Sequence, residues 1–201
     1  LPCEAAQITG LETPNSFIGD ASGKEYFISN VNGEPEARDN NGFITKLNTE
    51  GKIISLKFIQ GGVADIALHA PKGMALVGSI LYVADLDQLK GFDKTTGKLL
   101  ITVSCSPPSR SPVSLTDVTA SPAGLLYVSD QNANSIYRIT PSDNYRVDLL
   151  IHDDRLAGDV DRGRRLEPAV RPDSRKAGRL EGEGPSRRSP RPPLVQPRHE
   201  D

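Results

Sequence analysis

The chain has no tryptophan, one methionine and two cysteines among 201 residues, with only five Phe and five Tyr. Two cysteines, Cys3 and Cys105, are too few to define a disulfide framework, and one bridge or two thiols are both open at this stage. No run of 18 apolar residues is present, so no membrane-spanning helix is predicted. Cys-x-x-Cys and EF-hand metal spacings are missing, as are Gly-x-Ser-x-Gly and a Ser-His-Asp signature. The chain starts at Leu1 rather than Met and shows no secretory leader, which leaves a removed leader or a start inside a longer gene as expectations.

The scarcity is uneven. All ten Phe and Tyr lie at or before Tyr145, and the last Ile is Ile151. Residues 157–201 carry ten Arg and one Lys against eight acidic residues, a formal charge of +3, and seven of the 16 Pro. The preceding part has 13 basic and 18 acidic residues, a formal charge of −5. A segment without aromatics or Ile cannot bury enough apolar surface to offset the entropy of ordering it. Residues 157–201 are therefore predicted to be a disordered tail. Arg-, Gly- and Pro-rich text of this kind is also what GC-rich coding sequence gives out of frame, so a frameshift product is the expected origin. Its "RRSPRPP" (187–193) has interleaved acids nearby and no aromatic stacking platform, which argues against nucleic acid as a partner.

What the first 156 residues do contain is a phrase written three times. Tyr26-Phe27-Ile28-Ser29-Asn30 aligns with Leu81-Tyr82-Val83-Ala84-Asp85 and with Leu126-Tyr127-Val128-Ser129-Asp130, at offsets of 55 and 45 residues. The longer offset reflects an insertion, "VNGEPEARDNNG" (31–42). Around each phrase the parts keep one order. A short apolar strand comes first (16–18, 73–76, 117–120), then a polar turn, then the phrase itself. A third strand ("GFITKLN", "QLKGFDK", "SIYRITP"), a Gly-, Asp- or Ser-rich turn and a fourth apolar strand ("IISLKFI", "LLITV", "YRVDLLI") complete the unit. Asn41-Gly42, Glu50-Gly51 and Thr96-Gly97 place Gly where hairpins need positive φ, and Asp20, Asp93 and Asp143 sit where Asx turns would help. Four strands per unit of about 45 residues is the signature of a β-propeller blade. A sandwich also fits alternating strands, but it need not repeat itself. The prediction is an all-β, partial β-propeller over residues 11–156, with blades near 11–60, 68–104 and 113–151, after an N-terminal segment 1–10.

The stretches "TPNSFIGDASGKEYFISNVNG", "LHAPKGMALVG", "LYVADLDQLKGFDKTTGK" and "LTDVTASPAGLLYVSD" resemble the superfamily of senescence marker protein, gluconolactonase and luciferin-regenerating enzyme, in its secreted bacterial branch. NHL-repeat propellers are a close second. The resemblance covers roughly residues 10–156. It implies a secreted or periplasmic protein and a ring of six blades, of which this chain holds about three. It also implies a divalent cation, commonly calcium, held on the axis by a Glu, two Asn and an Asp from blade starts, where it polarises a lactone carbonyl and helps activate water.

The matching blade-start positions are Asn15, Lys72 and Thr116, followed by the carboxylate of Asp117. Asn15 stands where the family commonly has Glu, and Thr116 where Asn is common. The metal-ligand candidates are thus Asn15, Thr116, Asp117 and Asp130, with His69 and Asp117 as candidate catalytic groups. Lys72 beside the axis would repel a cation, so this copy is expected to be inactive even if its parent is a lactonase-like hydrolase. Two functions stay open: a lactonase-like or small-molecule-binding propeller, and a non-catalytic scaffold whose blade loops bind a protein or carbohydrate. The repeated Asn30, Asp85 and Asp130, with Asp87, read first as residues that cap a turn or hydrogen-bond the neighbouring loop, with ligand binding as the alternative, His69 as a structural histidine, and His152 as part of a surface loop. The insertion, with Glu34, Glu36, Asp39, Asn40 and Asn41, reads first as a solvated excursion, with a lid over the channel mouth or a calcium chelator as its alternatives, although its spacing matches no calcium loop. Three blades leave sheet faces and edges open. The chain is therefore predicted to self-associate through them. Sedimentation velocity should show concentration-dependent association, and a monomer with a sharp cooperative unfolding transition would count against it.

Overall fold

The computed structural model describes residues 7–21, 23–105 and 112–153. All lie in the first of two compact units, Leu1–Val160; the second, Asp161–Asp201, is outside the described residues, as is Cys3. The readings of residues 157–201 as disordered or out of frame, and the Cys3 pairing, therefore fall outside the described residues. Cys105 itself is a free, buried thiol.

The fold is all-β. Twelve strands form three four-stranded antiparallel sheets, each laid down in chain order. The first contains β1 (Pro14–Gly19), β2 (Glu25–Asn30), β3 (Phe43–Asn48) and β4 (Ile53–Gln60). The second contains β5 (Pro71–Val77), β6 (Ile80–Asp85), β7 (Gln88–Asp93) and β8 (Leu99–Ser104). The third contains β9 (Leu115–Ala120), β10 (Leu126–Asp130), β11 (Ser135–Thr140) and β12 (Arg146–His152), with a single 3-10 turn, Pro141–Asp143, before its last strand. These are three consecutive propeller-type blades.

The period-2 alternation of strand side chains explains how the blades stack. In β6, Leu81 and Val83 join Phe27, Ile44, Ile59, Met74 and Phe92 in one core between blades 1 and 2. Their neighbours Tyr82 and Ala84 point the other way, into a second core with Leu89, Leu126, Val128, Tyr137 and Ile139 between blades 2 and 3. The middle blade is thus covered on both faces, and β6 is buried along most of its length. In β10 and β11 burial strictly alternates. Leu126, Val128, Tyr137 and Ile139 face blade 2, while Tyr127, Ser129, Ile136 and Arg138 remain half-buried on the outer face. Tyr127 aligns with Phe27 and Tyr82, both buried in the other blades, so the outer face of blade 3 is the face a following blade would cover.

The first strands run closest together. A Cβ on Gly73 in β5 would lie 2.3 Å from Asp117 Oδ1 and 2.4 Å from Asp117 Cα in β9, so only Gly permits this approach. Gly42 behaves likewise. The sequence reading gave it a positive-φ hairpin, as holds at Gly51 (φ +76°) and Gly97 (φ +74°). Instead, its missing Cβ makes room for Pro71 Cδ at 2.3 Å and the His69 carbonyl at 2.7 Å, because residues 31–42 fold back across blade 2. Asp93 does make its Asx turn, accepting the N–H groups of Thr95 and Thr96. Asp20 lies in its turn, where its carbonyl accepts Gly23 N at 2.8 Å, and its carboxylate binds Lys94 Nζ at 3.0 Å; Asp143 pairs with Arg146 at 2.9 Å.

The last position of each repeated phrase is where the polar chemistry of the core concentrates. Asn30, Asp85 and Asp130 are all buried, and each pins the segment that leads into its own blade. Asn30 Oδ1 accepts Glu12 N at 3.1 Å. Asp85 accepts His69 N at 3.0 Å and Ala70 N at 2.7 Å. Asp130 Oδ1 accepts Ser114 N at 3.1 Å, and also the N–H groups of Asn132 and Ala133. Each also pairs diagonally with a side chain on its third strand, two residues beyond the one directly opposite: Asn30 Nδ2 donates to Thr45 Oγ1 at 3.1 Å, Lys90 Nζ forms a buried ion pair with Asp85, and Tyr137 donates to Asp130 Oδ2 at 3.4 Å. Burial, with Asp130 alongside, pushes the Tyr137 phenol up to about 12, so it stays the donor.

In the middle blade this anchor is an ion pair with both side chains all but excluded from solvent. Removing one partner of such a pair strands the other charge. Asp85→Ala, which also leaves two backbone N–H groups unpaired, should lower the unfolding free energy by about 3–5 kcal/mol. Lys90→Met, which keeps those backbone bonds, should cost less. Urea titrations of the two variants compare them directly, and equal losses would mean that the backbone bonds contribute nothing.

Candidate functional site

Antiparallel pairing brings the start of each first strand beside the end of each second strand. Pro14 pairs with Asn30, Pro71 with Asp85 and Leu115 with Asp130. One end of the blades therefore gathers Asn15, Lys72 and Thr116, the three anchors, and the segments that precede each blade.

The sequence-predicted residues separate in role there. Asn15 is exposed. Thr116 is half-buried, and its hydroxyl donates to the Ser114 carbonyl at 3.4 Å. Asp117 is exposed; its Oδ1 accepts its own neighbour's Val118 N at 2.9 Å, while its N–H donates to Ser129 Oγ at 3.1 Å. Asp130 is the blade-3 anchor described above. His69 Nδ1 accepts Asn40 N at 3.1 Å and its backbone N–H is held by Asp85, a position that ties the insertion to blade 2. Asp87 pairs with Arg38 at 2.9 Å. His152 is half-buried at the end of β12, with Nδ1 2.9 Å from Ser135 Oγ. Among the described residues, no three His, Cys, Asp or Glu side chains are grouped as a metal site.

What this end does assemble is a cluster drawn from all three blades. Lys72 is 3% exposed. Its Nζ donates to Glu36 Oε1 at 2.9 Å and to Ser114 Oγ at 3.1 Å. Ser114, itself fully buried, donates its hydroxyl to the same Glu36 Oε1 at 2.7 Å. Gln131 Nε2 reaches Ser114 Oγ at 3.4 Å. Lys72 comes from the second residue of β5 and Ser114 from the residue before β9, where the Asp130 anchor fixes its backbone. Glu36 comes from the insertion.

That insertion is no free excursion. Asn40 Oδ1 accepts Leu68 N at 2.8 Å, Gly42 N donates to the Leu68 carbonyl at 3.1 Å, and Arg38 reaches Asp87. These bonds carry residues 31–42 from blade 1 onto the starts of blades 2 and 3, so the insertion is tied down although much of it faces solvent. Sequence reading singled out Lys72 and named Glu36, but it did not join them. They are 36 residues apart and Ser114 is 78 from Glu36, with no local spacing to signal the contact. Lys90 was missed for the same reason, although its place on the next strand, diagonal to Asp85, would have been readable from the repeat.

Burial alone would raise the Glu36 carboxyl. The Ser114 hydrogen bond and the hydrogen bond and charge of Lys72 outweigh it and hold the group below its ordinary 4.5. A cavity of about 570 Å³ shares no residue with this cluster; it lies between β4 and β8, lined by residues such as Phe58, Val63, Ile66 and Leu99.

No family model and no curated relative matches the chain. Among solved structures, it is similar to the dihydro-heme d1 dehydrogenase NirN in complex with DHE, at 12% identity and a TM-score of 0.47 over 71% of this chain and 28% of that one. It is similar also to the extracellular domain of a hybrid two-component system protein from B. thetaiotaomicron, at 14% identity and a TM-score of 0.39 over 71% of this chain and 22% of that one. The chain spans less than a third of either.

A carboxyl held below its unfolded value stabilises above that value and loses its contribution as pH falls through the folded one. Glu36 should therefore hold the insertion in place at neutral pH and release it on acidification below 4.5. Hydrogen-exchange protection of residues 31–42 should fall on acidification before that of β6 and β7, and Glu36→Gln should remove this pH dependence.

Proposed function

We propose that the chain is the ligand-binding part of a β-propeller of the gluconolactonase and senescence-marker type, and that it binds a small molecule at the blade-start end without hydrolysing it. The observation that carries this reading is the position of Lys72. Its ammonium sits buried where the resembling family places a neutral or anionic metal ligand, and its partners are a hydroxyl and one carboxylate oxygen. An ammonium there opposes a calcium ion by direct repulsion. Asp130, the best-placed carboxylate, spends Oδ1 on backbone N–H groups that hold blade 3 together. Neutral donors and one cation suit binding and orientation of a polar ligand more than Lewis-acid activation of water.

The sequence phrases from residue 10 to 156 support the propeller type, and the secreted or periplasmic setting follows from the same likeness. The rival reading, a scaffold binding a protein or carbohydrate through blade loops, draws on the insertion, which is the most individual surface at that end.

Melting curves with and without millimolar calcium should coincide, and δ-gluconolactone should be turned over no faster than in buffer. In NMR titration with the same lactone, amide shifts should gather at residues 30–42, 69–72 and 114–117. A calcium-dependent rise in melting temperature together with hydrolysis that Asn15→Ala abolishes would overturn the non-catalytic reading.

A further inference from the structure

We propose that Lys72, Ser114 and Gln131 form a carboxylate-binding subsite, and that Glu36 of the insertion is its built-in plug. The inference rests on the ligand-binding reading above and names the group the ligand would present there.

The chemistry of the floor is specific. A buried ammonium and a buried hydroxyl converge on a single carboxylate oxygen, at 2.9 and 2.7 Å, which is how a charge-assisted site holds an anionic oxygen. The two donors also bond each other at 3.1 Å, so their positions are set without help from the solvent. Gln131 extends the donor chain outward from Ser114. A buried lysine needs a counter-anion, because an unpaired ammonium loses its hydration with nothing to replace it. The chain meets that need from a different blade, with a residue on a long loop and not with one from a strand.

Plug and floor differ sharply in exposure. The Lys72 side chain is 4% exposed, the Glu36 side chain 48%. Only Oε1 takes both donors. A carboxylate arriving from solvent can therefore meet Glu36 at the surface and exchange with it, while Lys72 and Ser114 stay in place. The charge balance of the site is unchanged by the exchange: one carboxylate leaves the ammonium and another takes its place. The loop itself has other holds, through Asn40 and Arg38, so releasing Glu36 need not unfold it. The ligand class that fits is a small polar molecule bearing one carboxylate, such as a sugar acid.

The test uses the full chain, with galacturonate as probe and galactose as its neutral control, read by calorimetry and by amide shifts. Glu36→Ala should bind galacturonate at least tenfold more tightly than the unmodified chain, with galactose unchanged. Ser114→Ala and Lys72→Met, each added to Glu36→Ala, should abolish that gain, while circular dichroism confirms that the strands persist. Glu36→Gln, which keeps an amide over the floor, serves as the milder opening if Glu36→Ala loses its fold. If a folded Glu36-substituted chain binds galacturonate no better than the unmodified chain does, the subsite is overturned. It is equally overturned if the gain survives loss of Lys72. Lactone-induced shifts at residues 69–72 and 114–117 in the absence of any galacturonate gain would leave the ligand-binding reading standing and remove only the carboxylate subsite. If neither compound shifts those amides, both fall.

Discussion

Each blade of this protein depends on one buried side chain at the end of its second strand. A sheet of four short strands cannot by itself hold the chain that leads into it, because that lead-in has backbone N–H groups and no strand partner. A buried N–H without an acceptor costs as much as a lost hydrogen bond. Asn30, Asp85 and Asp130 supply the acceptor, and they do so from inside the blade, so the lead-in is held against the same strand pair that it will join. The anchor must itself be satisfied, and the partner across the third strand changes with it: Thr45 for the amide, Lys90 and Tyr137 for the carboxylates. Core packing between blades then follows from alternation, since each second strand sends successive side chains to opposite neighbours.

The same device decides where the polar end of the molecule gains its chemistry. Pinning Ser114 N to Asp130 places the Ser114 hydroxyl beside the first strand of the preceding blade, within reach of Lys72. Pinning residues 69–70 to Asp85 gives the insertion a fixed edge to lie on, through Leu68 and His69. The Lys72–Ser114–Glu36 cluster is thus a by-product of the Asp85 and Asp130 anchors. It sits in a different place from the large cavity between β4 and β8, and its donors are buried while its acceptor reaches the surface.

Much of the fold was legible because a repeat can be read against itself. All twelve strands lie where the aligned phrases put them, as turn residues and alternating apolar positions mark both ends of each. The roles of single residues were less legible. Gly42 looked like a hairpin glycine by its Asn neighbour, yet it is needed because Pro71 and His69 pass close by, a contact between blades. Asp20 stands in a turn, and its carboxylate also binds Lys94, 74 residues away, a partner that no local pattern signals. The insertion looked solvated because it is polar, and polarity is also what a segment needs to bond across the ends of two other blades.

The sequence by itself determined the all-β class, the number of blades in the described residues, the strand order within each, and the recurrence of Asn or Asp at the end of each second strand. All of these rest on local pattern: period-2 alternation, turn chemistry and recurrence. Only the tertiary structure decided which polar residues meet. Glu36, Lys72 and Ser114 carry no spacing signal, since their distance in the chain is set by how many strands intervene and not by any geometry of a turn or strand. Ion pairs and hydrogen bonds act over a few ångströms. Whether two such groups come within that range is fixed by the stacking of whole blades.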